Sequence, residues 1–211
     1  MNDKHIPRPV VKRLSVYLRR FQREAGRGGK TLTSKELAET LDITSALVRR
    51  DLARLSRMGR PGVGYDVAAT IEQLRHILGT DEVRGVIVVG VGGLGGALLS
   101  YEGFTRRGFE LVAAFDVDKR KIGRKIGGVL IHELSALPTV VRKHRVKLAI
   151  LTAPADAAQD IMPLLKDSGI TGVLNFAPVT LVVPPEVSIA QVDIAARLER
   201  LSYFTRAAHE A

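Results

Sequence analysis

The chain has 211 residues, is 45% apolar but only 5% aromatic, and carries 32 Lys+Arg against 22 Asp+Glu, a formal charge of +10. That apolar share can bury a core and excludes a disordered chain, while the absence of cysteine excludes disulfides, thiolate metal sites and thiol switches. No run approaches the ~18 apolar residues of a membrane span and no signal-peptide pattern opens the chain, so no membrane partner and a cytoplasmic location are expected.

The charge is segregated. Residues 1–80 hold 16 Lys+Arg and 8 Asp+Glu, which leaves 16 and 14 for the remainder. A polyanion partner for the N-terminal segment would account for this, since phosphate contacts dominate nucleic-acid affinity.

From Pro7 to Arg23, Val10, Leu14, Leu18 and Phe21 form a helical stripe, with Arg13, Arg19, Arg20 and Arg23 elsewhere on the wheel. Gly26-Arg27-Gly28-Gly29 breaks it. Thr33-Ser34-Lys35-Glu36 is a capping-box pattern opening a short helix through Leu37 and Leu41. Asp42-Ile43 makes a turn, Thr44 or Ser45 caps the next helix, and that helix is predicted to run to about Met58. Val48, Leu52 and Leu55 would face inward, leaving Ser45, Ala46, Arg49, Arg50, Ala53 and Arg57 on the free face. Two helices on a short turn, the second with small and Arg residues outward, fit a helix-turn-helix, and the planar Arg fork matches guanine or phosphate. Gly59-Arg60-Pro61-Gly62-Val63-Gly64-Tyr65 reads as a wing able to place Arg60 in a minor groove. Ser45, Arg49, Arg50, Arg57 and Arg60 are therefore the DNA-binding candidates, and double-stranded DNA is the expected partner. Asp66 caps a helix with Val67, Ile71, Leu74 and Leu78 inward, ending at Gly79, and Thr80-Asp81-Glu82 is the linker.

Next comes Gly85-Val86-Ile87-Val88-Val89, a β-branched run typical of a buried parallel strand, leading into Gly90-x-Gly92-x-x-Gly95 and then Ala97-Leu98-Leu99. Strand, glycine loop and helix in that order suit a dinucleotide pyrophosphate. The first glycine turns the chain, the second admits the phosphates to backbone N–H groups, and the third lets helix and strand pack. Leu111-Val112-Ala113-Ala114-Phe115 is the second strand and ends on Asp116, where an acidic residue would hold the adenosine ribose of NAD(H). Lys119 and Arg120 could favour a 2′-phosphate instead, but the Asp116 carboxylate would repel it. Val146 to Leu151 and Gly172 to Asn175 continue the parallel sheet, a helix from Ala155 to Ser168 lies between them, and Leu181-Val182-Val183 is expected to add another short strand. The cofactor set read here is Gly90, Val91, Gly92, Gly93, Leu94 and Gly95 in the loop, Asp116 and Val117 at the second strand tip, and Thr152, Ala153, Pro154, Asn175, Phe176 and Ala177 at the later strand ends. No catalytic or metal-binding set emerges. A last amphipathic helix, Val192 to Ala208, would dock on its own domain or on a partner subunit.

The fold class is thus α/β with an N-terminal α-rich winged helix-turn-helix. Residues 1–80 form the DNA-binding domain, 81–190 a Rossmann NAD(H)-binding domain and 191–211 a terminal helix. An oxidoreductase with a basic accessory domain is the main alternative, yet none of Tyr17, Tyr65, Tyr101 or Tyr203 has a lysine four residues on. A CoA-binding regulator is the other, and it leaves Asp116 without a role.

Over nearly its whole length the chain resembles the Rex family of bacterial redox-sensing transcriptional repressors. The resemblance rests on Arg13-Leu14-Ser15-Val16-Tyr17-Leu18-Arg19, Val48-Arg49-Arg50-Asp51-Leu52, Gly62-Val63-Gly64-Tyr65, Gly90–Gly95, Phe115-Asp116-Val117-Asp118, Lys121-Ile122-Gly123, Leu151-Thr152-Ala153-Pro154 and Leu174-Asn175-Phe176-Ala177-Pro178. It implies a homodimer, not an enzyme, that binds a palindromic operator when NADH is low and releases it when NADH binds. It also implies that the C-terminal helices swap between subunits, and that Arg19, Tyr101 and Asp193 form the redox-sensing set. Gly93, Leu47, Pro61, Ile194 and Leu55-Ser56 depart from the family pattern.

Overall fold

Helix α1 (Arg8–Gly26) begins after Pro7, with Pro9 in its first turn where a missing N–H costs nothing, and it buries Val10, Leu14, Tyr17 and Phe21. In the computed structural model, which describes residues 6–54, 59–60 and 62–207, the chain divides into two units, Met1–Glu82 and Val83–Ala211.

In the first unit β1 (Thr31–Leu32) precedes α2 (Ser34–Leu41) and α3 (Ser45–Ala53). The capping box forms as expected, with Thr33 and Glu36 satisfying each other's backbone N–H. Asp42 takes a left-handed conformation at the end of α2, and Thr44 caps α3 through the Leu47 N–H. Helix α3 stops at Ala53 rather than near Met58. Its last turn tightens there, the Arg54 N–H donating to the Asp51 carbonyl. Leu55, Arg57 and Pro61 lie outside the described residues. Strands β2 (Gly59–Arg60) and β3 (Gly64–Asp66) form the wing hairpin, and β1 adds to it antiparallel in the order β1-β3-β2. A Cβ at Gly64 would meet the Leu32 carbonyl, and its φ of +101° adds to the case for glycine there. Helix α4 (Val67–Ile77), capped by Asp66, closes a core of Leu14, Phe21, Leu37, Val48, Leu52 and Leu74.

The second unit runs β4 (Arg84–Val89), α5 (Gly93–Leu99), β5 (Phe109–Asp116), β6 (Lys125–Ile126), β7 (Val129–Glu133), α6 (Leu137–His144), β8 (Leu148–Leu151), α7 (Ala155–Asp167), β9 (Gly172–Asn175), β10 (Ser188–Gln191) and α8 (Ile194–Ala207). The sheet order is β10-β9-β8-β4-β5-β7-β6, parallel throughout save for the β6 edge. Chain order reverses between β4 and β8, the switch point at which open α/β sheets bind ligands. Alternation along β4 sends Ile87 and Val89 to the face covered by α6 and α7, and Val86 and Val88 to the face where α5 supplies the only α-helical residues among those described.

Leu181-Val182-Val183 is not a strand. Pro184 and Pro185 lack donors, Leu181 is buried in the main core, and the Gln159 amide pairs with both the N–H and C=O of Val182 in place of a ladder. The last sheet position falls instead to β10.

Candidate functional site

The glycine loop is built by close approach. Gly90 has a φ of +95°, and a Cβ there would strike the backbone of Thr152 and Ala153. The Gly90 N–H donates to the Phe115 carbonyl at 2.8 Å, while Thr152 Oγ1 donates to the Gly90 carbonyl at 2.6 Å, stitching the loop to both neighbouring strands. A Cβ at Gly95 would collide with the Gly90 carbonyl oxygen, so this glycine is what allows α5 to sit on the loop. Gly92 and Gly93 have only open space where a side chain would begin. Gly92 provides no side-chain cap to α5, which leaves first-turn N–H groups for an anion.

Asp116, only 9% exposed, closes the other side of the loop. Its Oδ2 accepts from the Val91 N–H at 2.8 Å and from Lys121 Nζ at 3.0 Å, and its Oδ1 accepts from the Asp118 N–H at 2.8 Å. Burial pushes this carboxyl up, but the bonds from Asp118, Lys121 and Val91 outweigh it and hold it below the usual range. A carboxylate offers about four acceptor positions, so one remains on Oδ1 for a ribose hydroxyl. The sequence expectation for Asp116 was a ribose contact; it did not include the brace between loop and strand or the bond from Lys121. Arg120 forks onto Asp118 at 3.0 and 2.9 Å, and that guanidinium draws the Asp118 carboxyl down to about 2. This engages the arginine that a 2′-phosphate would need. Val117 projects into solvent beyond the strand tip.

Thr152 and Pro154 reach the same sheet edge, with Ala153 buried between them. Asn175 does not offer its side chain to a ligand. It is fully buried, its Oδ1 accepts from the Ala177 N–H, and its Nδ2 donates to the Val179 carbonyl and to Gln191 Oε1. It shapes the turn through Phe176 and Ala177 instead, a role that a polar residue at a strand end does not announce in sequence.

Of the sensing set, Tyr101 is half exposed and stacks edge-on against Phe104 with ring centroids 5.2 Å apart. Asp193 Oδ1 caps the start of α8 through the Ala196 N–H at 2.9 Å, and Arg19 Nε donates to the Ser15 carbonyl within α1. Among the described residues no hydrogen bond joins Asp193 to Tyr101 within the chain.

On the first unit, Val48 and Leu52 are buried while Arg49 and Arg50 are exposed, as their spacing implies. Arg49 Nη1 donates to Ser45 Oγ and to Ser34 Oγ, both at 3.2 Å. Arg49 and Arg60 line one depression of about 400 Å³ with Thr33, Ser34, Gly62 and Tyr65, so α3, wing and the start of α2 converge. Ser34 was not legible as a member of this surface, nor was Asp51 as a buried residue behind it. Among the described residues no helix is long and apolar enough to cross a membrane, and no group of three or more His, Asp or Glu could hold a metal ion.

A family model described as "Putative DNA-binding protein N-terminus" matches residues 5–53, and one described as a CoA binding domain matches residues 81–179. The chain is 42% identical over 195 residues to the redox-sensing transcriptional repressor Rex of Rhodopirellula baltica, covering 92% of this chain and 82% of that one. It is 42% identical to the Rex of Thermus thermophilus over 94% of this chain and 93% of that one. Among solved structures, RSP in complex with β-NAD+ and operator DNA superposes with a TM-score of 0.90 at 30% identity, covering 98% of this chain and 95% of that one. RSP in complex with β-NADH gives a TM-score of 0.88 at 29% identity, over 98% of this chain and 97% of that one.

Proposed function

The chain belongs to the Rex family of redox-sensing transcriptional repressors, and on that premise we propose that it binds operator DNA through its first unit, takes NAD(H) into the glycine loop of its second, and lets go of DNA when NADH binds. The observation that carries this reading is the pairing, in one chain, of an arginine-bearing helix and wing with a glycine loop at a sheet switch point. The loop N–H groups would take the pyrophosphate, the free Oδ1 position of Asp116 a ribose hydroxyl, and Val117 one face of the adenine. Thr152, Pro154 and the Phe176-Ala177 turn would border the nicotinamide end.

Reduction removes one positive charge from the nicotinamide, and in a partly desolvated pocket that difference weighs more than in water. Asp193 is the group we assign to respond, changing partner between Arg19 and Tyr101. Its variant Asp193→Ala should bind operator yet respond to NADH far less. Helix α8 supports a homodimer: Ile194, Leu198, Leu201 and Phe204 are each more than half exposed. An apolar groove of about 400 Å³ lies on the sheet face over Val86, Phe104, Ile150, Leu174 and Ile189. A swapped helix would cover such surface, and two-fold symmetry would set operator half-sites one helical turn or a multiple apart. The protein acts as a cytoplasmic regulator and not as an oxidoreductase; no tyrosine stands four residues before a lysine as a proton donor would.

Calorimetric titration with NADH, NAD+ and CoA, with and without a palindromic duplex, tests this. Linkage requires the duplex to weaken NADH binding by the factor by which NADH weakens DNA binding, roughly 5- to 150-fold. Tighter binding of CoA than of NADH would contradict the reading.

A further inference from the structure

Helix α3 is nine residues long and buries only Val48, Asp51 and Leu52. The two aliphatic residues hold it against the core but do not fix its roll, because apolar contact is non-directional. Asp51 is different. It is 1% exposed, and its Oδ1 accepts from Arg13 Nη2 at 2.9 Å while its Oδ2 accepts from Arg13 Nε and from the Tyr17 hydroxyl, the latter at 2.9 Å. Three of its roughly four acceptor positions are filled by two residues of one neighbouring helix.

We propose that Asp51, clamped by Arg13 and Tyr17 of α1, is a positioning residue that fixes the rotation of α3 and thereby the operator preference of the repressor. The proposal rests on the DNA-binding reading above. Arg49 and Arg50 immediately precede Asp51, so the angle at which the carboxylate is held sets the angle at which both guanidinium groups leave the helix. A roll of about 20° moves a side-chain tip by about 2 Å on a helix of ordinary width. Base-reading groups tolerate only about 0.5 Å of such error. A bidentate Arg–carboxylate pair is directional in the way that aliphatic contact is not. A pair whose carboxylate is buried adds little net stability over a well-packed apolar pair, and direction is what remains for it to supply. Tyr17, fully buried, adds a third vector from the same helix. Two residues further along α1 comes Arg19, turned to an exposed face, so the helix that carries the candidate sensing arginine also grips the reading helix.

The test uses the full chain and a duplex enriched by the wild-type protein from a random-sequence pool, with a scrambled duplex of the same composition as reference. The double variant Arg13→Met, Asp51→Leu replaces the ion pair by apolar groups of similar size. It should fold, bind NADH as wild type does and hold the scrambled duplex about as well, yet lose roughly tenfold or more of its preference for the enriched duplex. A merely structural pair would leave that preference intact in folded protein, and an unchanged ratio would overturn the clamp. Should the double variant not fold, Tyr17→Phe keeps the Arg13–Asp51 pair and drops one hydrogen bond. It should then reduce the preference by roughly threefold, and a wild-type ratio for it counts equally against the proposal. A wild-type chain that enriches no sequence at all overturns the repressor reading and the clamp together, whereas enrichment with unaffected variants overturns the clamp alone.

Discussion

In the second unit the candidate site is made by side chains that are missing, and in the first by side chains that project. Gly90 and Gly95 let three backbone segments meet closer than any Cβ allows, with Asp116 bracing the result from inside. Arg49, Arg50 and Arg60 stand out from a helix and a wing whose own packing does not need them. Adding one atom should therefore ruin the first kind of site, while only removing charge should harm the second.

The largest effect expected is at Gly95. Gly95→Ala places a Cβ on the Gly90 carbonyl, α5 must move off the loop, and NADH affinity should fall by roughly 100-fold or more, in line with overpacking of 1–3 kcal/mol plus lost anion donors. Calorimetry would measure it, and operator binding should survive but stop responding to NADH. The opposite pattern belongs to Arg49→Ala, which should cost ~1–3 kcal/mol of operator affinity if it reads a base, or lower the salt slope if it meets phosphate, with NADH affinity unchanged. Anisotropy titrations at several salt concentrations separate the two.

A finer break in the comparison is available two positions before Gly95. Gly93→Ala has open space for its methyl at the first position of α5, so by restricting the unfolded chain it should stabilise the second unit by about 0.4–1 kcal/mol in thermal unfolding. The smallest effect is acid sensitivity. Because the folded Asp116 carboxyl lies below its usual value of 3.8, the bonds it accepts stabilise fully above that value and are lost as pH falls through the lower folded one. The second unit's melting temperature should then owe no change to Asp116 from about pH 8 to 5 and should drop in stronger acid. Asp116→Asn should lessen that drop, leaving the part that Asp118 contributes.

The comparison also explains what could be read in the chain beforehand. Glycines in a fixed spacing after a β-branched strand, a capping box and a Val48–Leu52 stripe are local signals, and each forms where its residues place it. What could not be read depends on partners distant in sequence. Gln159 takes the backbone groups that Val182 would have given to a strand, 23 residues away. Asp51 sits among arginines and reads as surface charge, yet its partner Arg13 lies 38 residues earlier and draws it inside. Asn175 turns inward to Gln191, and Lys121 finds Asp116 only once the loop after β5 closes. Strands β6 and β7 and helix α6, between Asp116 and β8, are short and lack a marked motif.

All of this converges on one exchange, the occupancy of the glycine loop against the grip of the arginine face. The direct measurement is fluorescence anisotropy of a labelled palindromic duplex, pre-bound to the purified chain and titrated with NADH in one series and NAD+ in another. A redox-sensing repressor should release the duplex as NADH rises and keep it through the NAD+ series. Equal retention in both would contradict it.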